Sequence, residues 1–152
     1  VVMQIPNYMQ LWGMLRGIGA EVKPWRLLPD HSAGDWVSDL EELEELVTPK
    51  TKMICLCNPN NPAGSVMDAD ALDRVAAIAA RHGAWVLVDE IYHGTEQDGV
   101  PTPTMWGRHD RVTSFDLRGG CSIWASAFRD GGIGGSVQSG RRRRFCGGLL
   151  PS

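Results

Sequence analysis

Two short apolar runs constrain the fold of this 152-residue chain most strongly. Met53–Cys57 and residues 84–88 each have the length of a buried strand, and residues 68–82 between them carry apolar side chains at helical spacing. A strand, a crossover helix and a second strand form a parallel pair, in a sheet that helices cover on both faces. The sequence therefore predicts an α/β fold with a parallel-rich sheet and helices on both faces.

The same alternation extends through the first 112 residues. The patterns predict strands at residues 1–5 and 21–28, a helix over residues 8–18, and a polar loop over residues 29–34. A second helix contains Leu40, Leu43 and Val47, and either Asp35 or Ser38 can cap its amino end.

The end of the chain has a different composition. Residues 119–152 hold 9 of the 18 glycines, one acidic residue and the four-arginine run at residues 141–144. Such a segment buries too little apolar area to offset its ordering entropy. We therefore expect a domain over residues 1–114 and an atypical Gly/Arg-rich tail over residues 115–152, either poorly ordered or produced by a shifted reading frame.

Charge and cysteine usage narrow the class of protein. A net charge of -3 indicates no nucleic-acid partner, and the arginine run is typical of a solvated tail. No apolar run approaches the roughly twenty residues that span a bilayer. The four cysteines suggest buried thiols of a cytoplasmic protein, with neither a disulfide framework nor a metal site. The chain starts at Val1 rather than Met, so we expect a cut beginning.

Polar side chains follow both apolar runs. The first run is followed by Asn-Pro-Asn-Asn-Pro-Ala-Gly at residues 58–64, and the second by Asp-Glu-Ile-Tyr at residues 89–92. Ligands bind beyond the carboxyl ends of strands in such sheets. An amide at one strand end, with a carboxylate and a phenol at the next, suits a pyridine ring that carries a phenolic oxygen. A buried carboxylate beside the pyridine nitrogen would keep that nitrogen protonated.

Over residues 1–112 these motifs resemble the class I/II aminotransferases, which are fold-type I pyridoxal-phosphate-dependent enzymes. The resemblance implies part of the large domain of such an enzyme, with pyridoxal 5′-phosphate as cofactor. Asp89 then matches the residue that faces the ring nitrogen, while Asn61 and Tyr92 match those that hold the ring oxygen. Tyr8, after Pro6-Asn7, matches the aromatic residue that stacks on the pyridine face.

Each of these residues also has a purely structural interpretation. Asp89 could cap a following helix, Asn61 could form a turn, and Tyr92 could be a packed aromatic. Tyr8 could be a hydrophobic staple for the next helix. The combination favours the cofactor site, in which two prolines fix the backbone around Asn61 and Gly64 relieves crowding.

The resemblance also implies a lysine that holds the cofactor as a Schiff base and moves the substrate proton. The only lysines, Lys23, Lys50 and Lys52, all precede the cofactor motifs, and Arg118 cannot replace one because a guanidinium stays protonated. We assign no catalytic residue and expect a fragment of an aminotransferase that is inactive as given.

The intact relative would act on an amino acid and a 2-oxo acid as a homodimer. Two alternatives remain open. One is a lyase, racemase or cyclase of the same fold, and the other is a noncatalytic pyridoxal-binding or nonfunctional product.

Overall fold

A computed structural model describes residues 1–32, 34–97, 99–116 and 122–125 of the chain. Up to residue 89, strands and helices alternate as the apolar runs predict, except that one pair of strands has no helix between them. The elements are β1 Val2–Ile5, α1 Met9–Gly17, β2 Lys23–Asp30, β3 Asp35–Ser38, α2 Leu40–Leu46, β4 Met53–Cys57, α3 Ala69–His82, β5 Trp85–Asp89, β6 Val112–Asp116 and β7 Ser122–Ala125.

The strands form one seven-stranded sheet in the order β3-β2-β1-β4-β5-β6-β7. The five central strands run parallel, whereas β3 and β7 pair antiparallel at the two edges. The predicted parallel-rich sheet is confirmed. The two antiparallel edges were not predicted, because neither lies within a strongly apolar run.

The loop predicted at residues 29–34 is wrong at its beginning, whereas its end agrees with the start of β3 at Asp35. β2 continues to Asp30, and a turn then leads into β3, where Trp36 pairs with Pro29. β2 pairs with β1 only up to Arg26, so the missing N–H of Pro29 removes no hydrogen bond on that side. A proline near a sheet edge is therefore compatible with the strand.

Helices cover both faces of the sheet, as predicted. On one face, Leu15 of α1 packs with Met3 and Cys55. On the other, α2 and α3 bury Leu43 and Leu72 against the apolar side chains of β4 and β5. The sheet is thus enclosed on both sides along its central strands.

Capping residues fix where the helices begin and end. The Asp68 carboxylate accepts from the Ala71 N–H at the start of α3, and Gly83 ends that helix with a φ of 64°. Asp39 caps α2 by accepting from the N–H groups of Glu41 and Glu42. Neither Asp35 nor Ser38 caps it, because both belong to β3.

The sequence predicts that the domain ends at residue 114, and the described segment that contains this position ends at residue 116. β6 crosses the predicted boundary, and β7 is a strand in a segment for which no regular element was expected. The rest of the predicted tail, residues 117–121 and 126–152 with the arginine run, lies outside the described residues.

Candidate binding site at the carboxyl edge of the sheet

The register of β4 and β5 brings the two polar motifs together. Cys57, the last residue of β4, pairs with Asp89, the last residue of β5. One residue further on, the Asn58 N–H donates to the Asp89 carbonyl oxygen at 2.9 Å. Residues 58–64 and 89–92 therefore leave the sheet side by side at the same edge.

Asn61 and Tyr92 meet directly. The Asn61 side-chain Nδ2 donates to the Tyr92 hydroxyl oxygen over 3.4 Å. Tyr92 is 40% exposed, so its ring is not the packed aromatic of the alternative interpretation. The pair presents an amide and a phenol to solvent within one hydrogen bond of each other.

Asp89 lies on the face of the sheet that α1 covers, because it follows Leu87 and Cys55 in the same alternating set. Its Oδ1 accepts from the Ile91 N–H at 3.0 Å. Burial raises the pKa of Asp89, and the Ile91 N–H partly opposes this shift. Residues 91–94 form turns, so Asp89 caps no helix here.

The Cys57 thiol is held by the backbone of the loop that follows β4. The thiol donates to the Pro59 carbonyl oxygen at 3.0 Å and accepts from the Asn61 backbone N–H. Burial, reinforced by the Asp89 charge, raises the pKa of Cys57 to about 12, so the thiol stays neutral. The Cys57 sulfur therefore lies near the Asn61 backbone and within the electrostatic influence of Asp89.

Tyr8 is placed less closely. It immediately precedes α1, on the same side of the sheet as Asp89, and is 47% exposed. Within the described residues, no hydrogen bond joins its side chain to Asn61, Asp89 or Tyr92, and its backbone N–H donates to Asn7 Oδ1 at 2.6 Å. The structure thus brings three of the four predicted residues together and leaves Tyr8 at the margin.

A cavity of about 650 Å³ opens beside Asn61 and Tyr92. Its walls come from most of residues 59–66 and from the segment after Tyr92, including Glu96 and Val100. Neither Asp89 nor Tyr8 lines it, so the four predicted residues do not share this cavity. Hydrogen bonds from the Gly94 and Thr102 N–H groups, which hold Glu96 in the wall, lower the pKa of Glu96 to about 2.

The asparagines of residues 58–64 have separate roles. Asn58 is fully buried, with Oδ1 accepting from the Met67 N–H and Nδ2 donating to the Pro103 carbonyl oxygen. Asn60 is also buried and hydrogen-bonded through both ends of its amide. Only Asn61 of the three is partly exposed, which makes it the one available to a ligand.

Gly64 is required for a different reason from the one predicted. A Cβ built on it would meet nothing within 4 Å, so the glycine relieves no crowding. Its φ of +74° is the left-handed conformation that other residues rarely adopt. The prolines at positions 59 and 62 both follow cis peptide bonds.

Two buried polar residues in this region were not identified from the sequence. Gln4, in an otherwise apolar strand, accepts from Cys57 N–H and Asn60 Nδ2. Glu90, next to Asp89 but on the opposite face, accepts from the Met105 N–H and the hydroxyls of Thr104 and Ser114. Their only sequence signal is a polar residue inside or directly after an apolar run.

The lysines lie far from this edge. Lys23 is the first residue of β2, while Lys50 and Lys52 precede β4, so all three are at the amino ends of parallel strands. Asp89 is at the carboxyl end of β5. Since β4 alone separates the two edges by about 16 Å at roughly 3.3 Å per residue, no lysine amine of the chain lies beside Asp89.

Among the described residues, no group of three or more His, Cys, Asp or Glu side chains is arranged to hold a metal ion. None of the described helices combines the length and the apolar character needed to cross a membrane.

Comparison with known proteins adds independent findings. The family described as "Aminotransferase class I and II" matches residues 1–113. Human tyrosine aminotransferase is 39% identical over 87 residues, which cover 57% of this chain and 18% of that enzyme. The chain thus spans less than a fifth of the length of this curated relative.

Solved structures agree on the fold. A pyridoxal-phosphate-dependent aminotransferase from Streptococcus suis superposes with a TM-score of 0.67 at 35% identity, over 76% of this chain and 29% of that one. An aspartate aminotransferase from Rhodobacter sphaeroides gives a TM-score of 0.69 at 26% identity, over 76% and 31% respectively. The sheet and its helices are those of fold-type I aminotransferases.

Proposed function

The chain belongs to the class I and II aminotransferase family, and from this premise we propose that it is the central part of a pyridoxal-phosphate-binding large domain. The observation that carries the proposal is the convergence of Asn61, Asp89 and Tyr92 at two neighbouring strand ends. For its extent we keep residues 1–114, with the atypical tail after them, although β6 and β7 continue the same sheet as far as Ala125.

Asp89 fits a protonated pyridine nitrogen. Burial raises its pKa because the carboxylate lacks a compensating cation, and a pyridinium N–H would be that cation. Within the described residues Oδ1 has the Ile91 N–H as its partner, and Oδ2 has none. When bound, the cofactor supplies a ring that accepts the electrons left on a substrate carbon.

Asn61 and Tyr92 fit the oxygen on the neighbouring edge of the ring. An amide N–H and a phenol O–H within 3.4 Å can both donate to one phenolate oxygen. Tyr8 would stack on the ring face, which is supported by its position on the Asp89 side of the sheet.

We further propose that the chain as given does not catalyse transamination by itself. Lys23, Lys50 and Lys52 lie at the amino edge of the sheet, so none can provide the amine beside Asp89. This favours a cofactor-binding part of an enzyme, or a noncatalytic pyridoxal-binding product. No observation favours the lyase, racemase or cyclase alternatives over an aminotransferase.

For the whole enzyme we propose an amino acid and a 2-oxo acid as substrates and a homodimeric, cytoplasmic protein. The buried thiols of Cys55 and Cys57 support the cytoplasmic assignment. The net charge of -3 supports the absence of a nucleic-acid partner, and the lack of a sufficiently long apolar run supports the absence of a membrane partner.

The proposal can be tested with pyridoxine 5′-phosphate, which has no aldehyde and so cannot react with surface lysines. Titration of the isotope-labelled chain, followed by NMR, is expected to shift the signals of Asn61, Asp89 and Tyr92 together. Shifts confined to other residues, or no shifts at millimolar probe, would contradict the cofactor site. Conversion of an amino acid and a 2-oxo acid by the chain with pyridoxal phosphate would contradict the proposed inactivity.

A further inference from the structure

A buried amide pair spans the carboxyl edge of the sheet beneath the proposed cofactor residues. The pair consists of Gln4 in β1, which is 1% exposed, and Asn60, which is 5% exposed. Asn60 Nδ2 donates to Gln4 Oε1 at 3.1 Å. A glutamine inside an apolar strand is costly unless its polar atoms are bonded, so its presence calls for a structural reason.

Gln4 joins three strands through its side chain. Its Oε1 accepts from the Cys57 N–H at 3.0 Å, at the end of β4, as well as from Asn60. Its Nε2 donates to the Ser38 hydroxyl at 3.0 Å, at the end of β3. Both ends of the amide are therefore bonded, and Asn60 is held at a fixed place relative to β1 and β4.

Asn60 joins the two segments that carry Tyr8 and Asn61. Its Nδ2 also donates to the Pro6 carbonyl oxygen at 3.1 Å, two residues before Tyr8. Its Oδ1 accepts from the Ala63 N–H at 3.0 Å, and its backbone bonds to Gly64 and Ser65 close the turn around Asn61. The Asn60 side chain thus stabilises the turn that carries Asn61 and joins that turn to the segment that carries Tyr8.

We propose that Gln4 and Asn60 are positioning residues that set the separation and orientation of Asn61 relative to Tyr8. This proposal rests on the proposed cofactor site, because the separation of Asn61 from Tyr8 matters only if both residues bind the same ring. Neither side chain is assigned a contact with the cofactor, since both are buried and their amide groups are already hydrogen-bonded within the protein. Substitution of Gln4 or Asn60 is expected to weaken recognition of the ring oxygen, because Asn61 is the residue proposed to bind that oxygen.

The experiment uses two probes, pyridoxine 5′-phosphate and the same compound without its 3-hydroxyl group. The ratio of their dissociation constants for the full chain measures recognition of the ring oxygen. We expect a ratio of about ten in the unchanged chain, the value of one hydrogen bond. Asn60→Ala and Gln4→Leu are each expected to reduce the ratio to near one.

Gln4→Glu is the conservative variant. A carboxylate can still accept from the Cys57 N–H and Asn60 Nδ2, and the Ser38 hydroxyl can turn to donate. It is expected to keep the ratio near that of the unchanged chain. Val75→Ala, which shortens a buried side chain of α3, serves as the control for lost stability, and its ratio is expected to stay unchanged.

A second measurement needs no ligand. The Asn61 side-chain amide signal in a nitrogen–proton NMR spectrum reports its bond to Tyr92. That signal is expected to move in Asn60→Ala and Gln4→Leu, and to stay in place in Val75→Ala. If it stays in place in both Asn60→Ala and Gln4→Leu, or if Val75→Ala changes the ratio equally, the positioning proposal is overturned.

The two proposals fail differently. If the unchanged chain binds neither probe, the cofactor function fails, while a moved Asn61 signal still supports the positioning of that residue by Asn60. If the chain binds with a ratio of ten that survives both Asn60→Ala and Gln4→Leu, the cofactor function stands and the positioning role is refuted. Should Asn60→Ala not fold, Gln4→Leu and Gln4→Glu test the same amide pair from β1.

Discussion

The side-chain amide of Asn61 donates to the phenol oxygen of Tyr92 over 3.4 Å, although 31 positions separate the two residues in the chain. If both hold one ring oxygen, their contributions to cofactor binding should not be independent. We expect Asn61→Ala and Tyr92→Phe each to weaken pyridoxine 5′-phosphate binding about tenfold.

The double variant is expected to weaken binding by less than the product of the two single effects, because each residue orients the other. Calorimetric titration of the four proteins completes the cycle. Multiplicative effects would argue that the residues act on separate ligand atoms.

Asp89→Asn should separate stability from cofactor recognition. Burial raises the folded-state pKa of Asp89, so its stabilising contribution is present below the ordinary pKa of 3.8 and is lost as pH rises through the raised value. The amide of the variant carries no charge at any pH. We therefore expect the variant to gain stability relative to the unchanged chain as pH rises from about 3 to 7, measured by urea unfolding.

The same variant should lose the raised basicity of the bound ring nitrogen. Ultraviolet absorbance of bound pyridoxine 5′-phosphate against pH measures this directly. An unchanged ring titration in Asp89→Asn would contradict the role proposed for the carboxylate. Asp35→Asn, in β3 at the far edge of the sheet, is a matched control.

Glu90 is expected to be a major structural residue. Its buried carboxylate accepts from Met105 N–H at 2.7 Å, Ser114 Oγ at 2.6 Å and Thr104 Oγ1 at 2.9 Å. Glu90→Ala would leave these donors unpaired, and we expect it to cost about 2–4 kcal/mol of unfolding free energy.

Glu90→Gln should cost less, because its oxygen can face Met105 N–H while the hydroxyls turn to accept from its NH₂ group. Ser114→Ala, which removes one donor, should cost about 1 kcal/mol. Urea denaturation ranks the three variants. If Glu90→Ala were as stable as the unchanged chain, the hydrogen bonds of Glu90 would make no net contribution to the free energy of unfolding.

Glu96 should make stability depend on pH in the opposite direction from Asp89. Hydrogen bonds from Gly94 and Thr102 lower its pKa from 4.5 to about 2. Its contribution is therefore present above pH 4.5 and is lost as pH falls towards 2. Glu96→Gln is expected to be less sensitive to acid over that interval. Identical acid sensitivity of the two proteins would mean that Glu96 is not held in the cavity wall.

The sequence was sufficient for the parallel core because that core consists of its apolar runs. The observed positions of β4, α3 and β5 agree with those predicted from the spacing of apolar residues. The capping residues Asp68 and Gly83 mark the ends of α3. The β2–β3 hairpin was missed because Pro29 and the exposed Trp36 depend on edge pairing, which no local pattern encodes.

The sequence could predict only those parts of the candidate site that follow directly from the order of strands along the chain. Asn61, Asp89 and Tyr92 come together because neighbouring parallel strands end at one edge. The roles of Gln4 and Asn60 were not predicted because the partners that link them to other strands and to the Pro6 segment lie 34 to 56 positions away, so these bonds exist only once the sheet has formed. Glu90 escaped for the same reason, its partners lying 14 to 24 positions on.

With every primary amine of its lysines at the rim opposite Asp89, the chain has no covalent tether for an aldehyde cofactor at the proposed site. Any pyridoxal phosphate held there would exchange freely, and dialysis would remove it. A purified sample would then be colourless even with an intact site, and occupancy should be judged only at equilibrium, with the vitamer kept in the buffer.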